Sequence, residues 1–217
     1  MFELLHTFIH FVLHMDKELP ILVGHYHQWI YGILVAVIFC ETGLVVTPFL
    51  PGDSLIFAAG AVAASEGHPL SIILILILLI CAAFAGDNTN YFIGRFIGHK
   101  VYEKDYKLIK KEYLMKTHIF YEKYGRIAII LARFMPIIRT FAPFVAGVGT
   151  MKYRKFYSFS IIGNILWVGI FSLGGYFFGN IPFVKKNFTI VICAIILISL
   201  LPPIIAFLKQ KFAKVSN

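Results

Sequence analysis

Four ionisable residues lie inside long apolar stretches of the sequence, and they constrain its chemistry more than any other feature. Glu41 and Asp53 fall in one apolar region, and Arg133 and Arg139 fall in a later one. An ionised carboxylate in such surroundings is costly unless it is paired or neutralised. Arginine keeps its proton in proteins, so each guanidinium needs an anionic partner or water. The candidate acids within the membrane are Glu41, Asp53 and Asp87. Pairing the first two with the two arginines would neutralise the site.

These residue types suit the binding of an anion and the carriage of a proton. A guanidinium group forms paired hydrogen bonds with phosphate, and helix starts after Pro-Gly breaks would add amide donors. A carboxyl group in a low-dielectric site can exchange a proton near neutral pH. The residues therefore favour a proton-linked carrier for a phosphate-bearing ligand, and the apolar surroundings favour a ligand with a lipid tail. Purely structural ion pairs are the alternative.

The composition places these residues in a membrane. The chain has 217 residues, of which 59% are hydrophobic and 14% are charged, whereas a soluble domain carries about 25% charged residues. Four stretches are long and apolar enough to cross a bilayer, at residues 29–47, 70–94, 156–178 and 188–208. The three cysteines lie in apolar stretches without metal-ligand spacing, so we interpret them as reduced packing residues.

Two further apolar segments, residues 49–64 and 126–149, are interrupted by proline and glycine. The interruptions include Pro51, Gly52, Pro136, Pro143, Gly147 and Gly149. Proline removes an amide donor and clashes with the preceding helical turn. Broken backbone at membrane depth survives only inside protein or beside a wet cavity. We therefore predict that both segments form re-entrant helical hairpins.

The placement of basic residues predicts the topology. If both termini are cytoplasmic and the hairpins enter from opposite sides, 16 of the 20 Lys and Arg residues face the cytoplasm. Lys185 and Lys186 face outward, and Arg133 and Arg139 remain in the membrane. This asymmetry follows the positive-inside rule. Full crossings would move the basic residues at 152–155 to the other side, so re-entrant hairpins fit the charges better.

The expected fold class is an all-α integral membrane protein with about four transmembrane helices, two opposed re-entrant hairpins in an inverted repeat, and interfacial amphipathic helices. In each half a hairpin ends in Ala-Gly and is followed by a span with shared marks. These marks are Gly86-Asp87, Tyr91 and Gly94 in one half, and Gly163-Asn164, Trp167 and Gly175 in the other. We divide the single membrane domain into N-terminal interfacial helices (1–28), repeat half one (29–98), a cytoplasmic amphipathic connector (99–125), repeat half two (126–180), and a final span with a basic tail (181–217).

Other candidate sites have plainer interpretations. His6, His10 and His14 share one helix face and could hold a metal, but a polar stripe on an interfacial helix is favoured. The basic, Tyr-rich connector is expected to lie on the anionic leaflet rather than to bind nucleic acid. Asp87 is expected to play a structural part by bonding Asn90, Tyr91 or a hairpin backbone. We predict neither a metal nor a cofactor.

At these residues the sequence resembles the bacterial DedA family, which is related to the SNARE-associated Golgi protein or VTT domain group. The matching stretches are ETGLVVTPFLPGDSLIFAAG (41–60), GDNTNYFIGRFIG (86–98) and ARFMPIIRTFAPFVAGVGTMKYRKF (132–156). The resemblance implies a bacterial inner-membrane protein with opposed re-entrant hairpins. It also implies that the family's functional acids fall on Glu41 and Asp53, and its arginines on Arg133 and Arg139.

The resemblance further implies a function. Bacterial members are implicated in returning undecaprenyl phosphate across the membrane, with links to proton motive force and envelope integrity, and eukaryotic relatives are similar to lipid scramblases. We therefore expect a proton-coupled lipid-phosphate flippase in which Glu41 and Asp53 couple protons and Arg133 and Arg139 bind phosphate. The expected supporting residues are Pro51, Gly52, Asp87, Tyr91, Pro136, Thr140, Pro143 and Gly147.

Three alternatives stay open. A proton- or cation-coupled antiporter for a small solute would use the same acids, with the arginines mainly structural. An enzyme acting on lipid phosphates would need a nucleophile and a base, and no histidine lies in the hairpin motifs, so we expect no catalysis. An assembly protein without transport is the third. The expected partners are the phospholipid membrane, an anionic lipid phosphate and protons, without nucleic acid, and a homo-oligomer is left open.

Overall fold

The computed structural model describes residues 21, 24, 28–44, 52–65, 70–97, 119, 124–149, 151–195 and 197. Several sequence predictions lie wholly or mostly outside these residues. They are the N-terminal interfacial helices with His6, His10 and His14, the break residue Pro51, most of the connector 99–125, and the basic tail.

The regular structure of the described residues is entirely helical, which confirms the all-α class for this part of the chain. The helices are α1 (Trp29–Gly43), α2 (Gly52–Ala63), α3 (Ile72–Ile97), α4 (Ala128–Ala132), α5 (Pro136–Val148), α6 (Tyr153–Phe178) and α7 (Pro182–Lys186). A 3₁₀ turn at Gly125–Ile127 leads into α4, and residues 188–195 are again helical.

Two of these helices, α3 and α6, are long and apolar enough to cross a bilayer. Each has 26 residues, or about 39 Å at 1.5 Å per residue, against a hydrocarbon core of about 30 Å. Each exposes large apolar side chains along one side, as a lipid-facing helix does; examples are Ile73, Ile77, Phe96, Ile170 and Phe177. The predicted span at 70–94 is therefore helical from residue 72 onward, and the predicted span at 156–178 is helical throughout.

The other two predicted spans are described only in part. Helix α1 has 15 residues and ends at Gly43, short of the predicted end at residue 47, and its length is about 22 Å. In the last predicted span, residues 188–195 and 197 are helical. The count of four transmembrane helices therefore stays a prediction.

The segments predicted as hairpins form short helices. The described part of the first is the single 12-residue helix α2, about 18 Å long. The second consists of α4 and α5 separated by a break at residues 133–135. Helix α5 begins at Pro136 and carries Pro143 in its interior, so the backbone breaks before the first proline and not at the second. Entry from opposite sides of a membrane stays a prediction.

Each short helix packs on the long helix of the other half through a close glycine crossing. A Cβ added at Gly60 of α2 would overlap the carbonyl oxygen of Ser172 in α6 and lie 3.0 Å from the nitrogen of Tyr176. In the same way, a Cβ at Gly147 of α5 would overlap the carbonyl oxygen of Tyr91 in α3. Glycine is required at such sites because the two backbones touch.

The facing glycines of the long helices complete the two crossings in one register. A Cβ at Gly175 would overlap the carbonyl oxygen of Phe57, and a Cβ at Gly94 would overlap that of Phe144. Each of these phenylalanines lies three residues before the crossing glycine of its short helix. Gly94 and Gly175 are therefore equivalent, as the sequence repeat predicts.

The other marks of the repeat do not share this register. Gly86 lies eight residues before Gly94, whereas Gly163 lies twelve residues before Gly175. Gly86-Asp87 and Gly163-Asn164 therefore occupy positions that differ by about one helical turn. Glycine pairs that resemble each other in sequence serve different contacts here, because Gly86 meets α1 and Gly163 meets the segment before Arg133.

Helix α1 lies along α3 and completes the core around the site. Ile30, Leu34 and Ile38 recur every four residues and are buried, which gives α1 one packed face. At its C-terminal end, Gly43 fits against Gly86, where an added Cβ would lie 3.1 Å from the Gly86 Cα. This contact brings the last turn of α1, which carries Glu41, to the middle of α3.

Candidate functional site

The ends and breaks of helices carry the charged side chains of the site. Glu41 lies in the last turn of α1, and Asp53 lies in the first turn of α2. Arg139 lies one turn inside α5, while Arg133 is the residue that ends α4. Asp87 differs because it lies in the interior of α3.

Arg139 joins two carboxylates from different helices. Its Nη1 atom donates to Asp53 Oδ1 at 2.7 Å, and its Nη2 atom pairs with Glu41 Oε1. Glu41, Asp53 and Arg139 are all buried, so water screens these charges little. The predicted pairing of this arginine with both acids is what the structure contains. Residues that are far apart in sequence thus meet at one guanidinium.

Trp167 of α6 holds the same centre from the other side. Its indole N–H donates to Asp53 Oδ1 at 2.8 Å. The Arg139 guanidinium carbon lies 4.8 Å from the centroid of the Trp167 ring, within the range of a cation–π interaction. Trp167 is fully buried. One side chain therefore contacts both members of the Asp53–Arg139 pair and fixes their geometry.

Gly52 makes room for the Glu41 carboxyl group. A Cβ at Gly52 would overlap Glu41 Oε2, so any larger residue would displace the carboxylate. Oε2 receives no hydrogen bond from a described side chain and faces the start of α2. Gly52 therefore begins α2 and also leaves space for the Glu41 carboxyl group. Its neighbour Pro51 lies outside the described residues.

Arg133 forms a second charge centre with a different acid. Its Nη2 atom pairs with Asp87 Oδ2, and both side chains are buried. The predicted pairing of Arg133 with Glu41 or Asp53 is therefore wrong, and Asp87 is its counter-ion. Arg133 still has helical backbone angles, and the chain becomes extended only at Met135, just before α5 begins.

Polar residues of α6 complete this second centre. Ser160 Oγ donates to Asp87 Oδ2 at 2.5 Å, and Asn164 Nδ2 donates to the same oxygen at 3.1 Å. We expected Asp87 to bond Asn90, Tyr91 or a hairpin backbone, and that expectation is wrong for the contacts of the described residues. Gly163 lies beside the Arg133 stem, where an added Cβ would be 3.3 Å from Cγ. The two centres are not isolated, since the charges of Arg139 and Glu41 both act on Arg133.

Asn90 and Tyr91 tie the surrounding helices together. Asn90 Nδ2 donates to the Thr42 carbonyl at 2.5 Å and to the Thr140 carbonyl at 3.4 Å. Tyr91 donates from its hydroxyl group to the Met151 carbonyl at 2.8 Å. Thr42 and Thr140 directly follow Glu41 and Arg139 in the chain. Asn90 therefore joins α1 and α5 next to Glu41 and Arg139, the charged residues of the first centre.

Four buried polar residues of the site received no functional role from the sequence. They are Asn90, Ser160, Asn164 and Trp167. Helical spacing could have found them, because Ser160, Asn164 and Trp167 recur at i, i+4 and i+7 and so share one face of α6. Uncharged polar residues attract less notice than charges in an apolar helix, although they need partners just as much.

The remaining supporting residues predicted from sequence, apart from Pro51, Gly52 and Asp87, lie in α5 and α3. Thr140 is buried next to Arg139, and Gly147 makes the α5–α3 crossing. Pro136 begins α5 and Pro143 lies in its interior. Tyr91 stacks on Phe156 with ring centroids 4.5 Å apart. Their functional roles stay predictions, and their positions are those of packing and helix-forming residues around the two centres.

The family model of the VTT domain matches residues 50–177, which include α2 to α5, all of α6 except its last residue, and both Arg133 and Arg139. The protein DedA of Escherichia coli K12 is 50% identical over 212 residues, covering 97% of each chain. An uncharacterized membrane protein of Mycobacterium tuberculosis H37Rv is 46% identical over 81% of this chain and 77% of its own.

More distant similarity extends to the inner membrane protein YghB of Salmonella typhimurium, which is 29% identical over 87% of this chain and 89% of its own. No solved structure matches the chain. The names of these relatives agree with two long apolar helices and an apolar composition in placing the protein in a membrane. The chain belongs to the VTT domain family and, within it, to the DedA proteins.

Proposed function

We propose that the protein is a carrier that moves a phosphate-bearing lipid, such as undecaprenyl phosphate, across the bacterial inner membrane in exchange with protons. The observation that carries this proposal is the buried Arg139, shared by Glu41 and Asp53 where three helices meet. Ionisable groups held inside a membrane protein are costly and usually mark a substrate or proton path. A guanidinium group that carboxylates release can take a phosphate in their place.

In this proposal the acids and arginines have separate tasks. Glu41 and Asp53 bind and release protons, and Arg133 and Arg139 bind the phosphate group. When a carboxylate takes up a proton, it loses its attraction for the guanidinium, which then binds an anionic ligand. The exposed apolar sides of α3 and α6 provide a surface for the lipid tail. We place both termini in the cytoplasm and treat the chain as one membrane domain without catalysis.

A second candidate, a proton- or cation-coupled antiporter for a small solute, is favoured by one observation. Both guanidinium groups are already engaged by carboxylates, Arg139 with two and Arg133 with one. In this second candidate the two arginines bind no substrate and only hold the acids in place. Lysine keeps the charge but loses the planar fork, so variants with Lys at both positions separate the two candidates.

The test is transport by the full-length protein in liposomes that contain labelled undecaprenyl phosphate. We expect translocation with an imposed pH gradient, little without it, and loss of activity in Glu41→Gln. The matched control is Arg95→Gln, which removes an exposed arginine near the end of α3 and should keep wild-type activity. Folded protein that moves no lipid under a gradient contradicts the proposal. Full activity of the double variant Arg133→Lys, Arg139→Lys favours the antiporter.

A further inference from the structure

The two arginines differ in how many carboxylates hold them. Arg139 is held by Glu41 and Asp53, whereas Arg133 has one described counter-ion, Asp87. Releasing Arg139 requires neutralisation of two acids, but releasing Arg133 requires neutralisation of one. Among the described residues Nη1 of Arg133 has no hydrogen-bond partner, although the side chain is buried. Arg133 is therefore the arginine more readily available to an anion.

Asp87 has one oxygen that is fully used and one that is not. Oδ2 accepts from Ser160 and Asn164 and pairs with Arg133. Oδ1 is buried and has no partner within the described part of the chain. A proton taken up at Oδ1 would remove the negative charge while both hydrogen bonds from α6 to Oδ2 remain. The carboxyl group can thus change charge without leaving its position.

We propose that Asp87 competes with the ligand phosphate for Arg133, and that a proton on Asp87 decides which of them the guanidinium binds. The proposal rests on the lipid-phosphate function above and adds a third acid to it. In the step, a proton from water forms an O–H bond at Asp87 Oδ1 and the neutral carboxyl group releases Arg133. The cation then pairs with a phosphate oxygen. Loss of the proton reverses both events.

Among the described residues that contact the Asp87 carboxyl group, Arg133 is the charged one. Helix α6 presents the uncharged Ser160 and Asn164, and α1 presents Thr42 and Gly43 at the adjacent Gly86. The charges of Glu41 and Arg139 act on Arg133. Protonation of Asp87 therefore changes the balance at Arg133 first, before the doubly held Arg139.

The experiment measures binding of decyl phosphate to purified full-length protein in decyl maltoside micelles, from the rise in thermal unfolding temperature. We expect Asp87→Asn to bind decyl phosphate roughly tenfold more tightly than wild type at pH 7.5, which corresponds to about 1.4 kcal/mol. Acidification should tighten binding in wild type more than in Asp87→Asn. Because the probe titrates equally in both samples, the difference reports Asp87.

The control is the double variant Asp87→Asn, Arg133→Gln, in which the gain should disappear. Wild-type affinity in Asp87→Asn, or a gain that persists in the double variant, overturns the proposal. If Asp87→Asn does not fold, Arg133→Gln takes its place: acid should tighten binding less in this variant than in wild type, and equal tightening overturns the proposal. Decyl phosphate binding that follows Asp87, without transport of undecaprenyl phosphate in liposomes, supports this inference and contradicts the proposed function.

Discussion

The two glycine crossings share one backbone arrangement but carry different polar chemistry. Asp53 and Thr140 each lie seven residues before the crossing glycine of their short helix. Asp53 accepts a hydrogen bond from Trp167 at 2.8 Å, whereas the Thr140 carbonyl accepts a longer one, 3.4 Å, from Asn90. Arg139, the neighbour of Thr140, reaches across to Asp53 of the other crossing.

This difference shows which part of the repeat packing fixes and which part it leaves free. A close helix crossing needs only the absence of a side chain, so glycine satisfies it in both halves. An ion pair needs opposite charges, so the two halves cannot carry the same residue at the meeting point. Asp53 of the α2–α6 crossing and Arg139 of the α5–α3 crossing therefore form the site together.

The largest expected effect comes from removing the ion pair between Arg139 and Asp53, which joins the two crossings. Arg139→Gln leaves Glu41 and Asp53 buried without their shared cation. Removal of one partner from a buried pair costs about 3–5 kcal/mol, and we expect unfolding in mixed micelles, followed by circular dichroism, to show a loss of this size. Arg95→Gln, at an exposed site on α3, is the control. Equal stability of the two variants would mean that the crossings do not depend on this ion pair.

The next effect tests whether the two crossings are equivalent in packing. Gly175→Ala and Gly94→Ala each place a Cβ on a backbone carbonyl oxygen of the facing short helix. We expect both to lower the free energy of unfolding by about 3 kcal/mol, the upper range for overpacking. Gly169→Ala, also in α6, meets nothing within 4 Å and should be neutral or slightly stabilising. A large difference between the two crossing variants would contradict the shared register.

A smaller effect concerns the chemistry of the α2–α6 crossing alone. Trp167→Phe keeps an aromatic ring under Arg139 but removes the donor to Asp53. A hydrogen bond to a charged group contributes about 2 kcal/mol, and we expect a loss of that order in unfolding. Trp29→Phe, at a residue that is 78% exposed, controls for the loss of an indole. If Trp167→Phe is as stable as Trp29→Phe, the indole does not hold Asp53.

The smallest effect concerns the corresponding hydrogen bond at the α5–α3 crossing. Asn90→Leu keeps the volume of the side chain but removes the donor to the Thr42 and Thr140 carbonyls. Bonds between uncharged groups contribute about 1 kcal/mol, so the loss should be smaller than that of Trp167→Phe. Thr89→Leu, one residue away on the outer side of α3, is the control. A loss larger than that of Trp167→Phe would reverse the order of the two crossings.

Much of the architecture follows from the sequence because it depends on local properties. Runs of apolar residues predict α3 and α6, and two helices long and apolar enough to cross a membrane confirm that prediction. Proline fixes the start of α5 at Pro136, because the first turn of a helix tolerates a missing amide. The interior Pro143 shows the limit of this rule. Helix α5 continues through Pro143 while it packs on α3 at Gly147, and a single residue does not reveal such a contact.

The sequence alone determined that this protein places acids and arginines in apolar segments and that its two halves repeat a pattern of glycines. The tertiary structure decided which charges meet. Arg139 binds both expected acids, while Arg133 binds Asp87, which the sequence assigned to local structure. The physical reason is that pairing depends on how helices are rotated against one another. That rotation arises from contacts such as Gly43 on Gly86, which join residues distant in the chain.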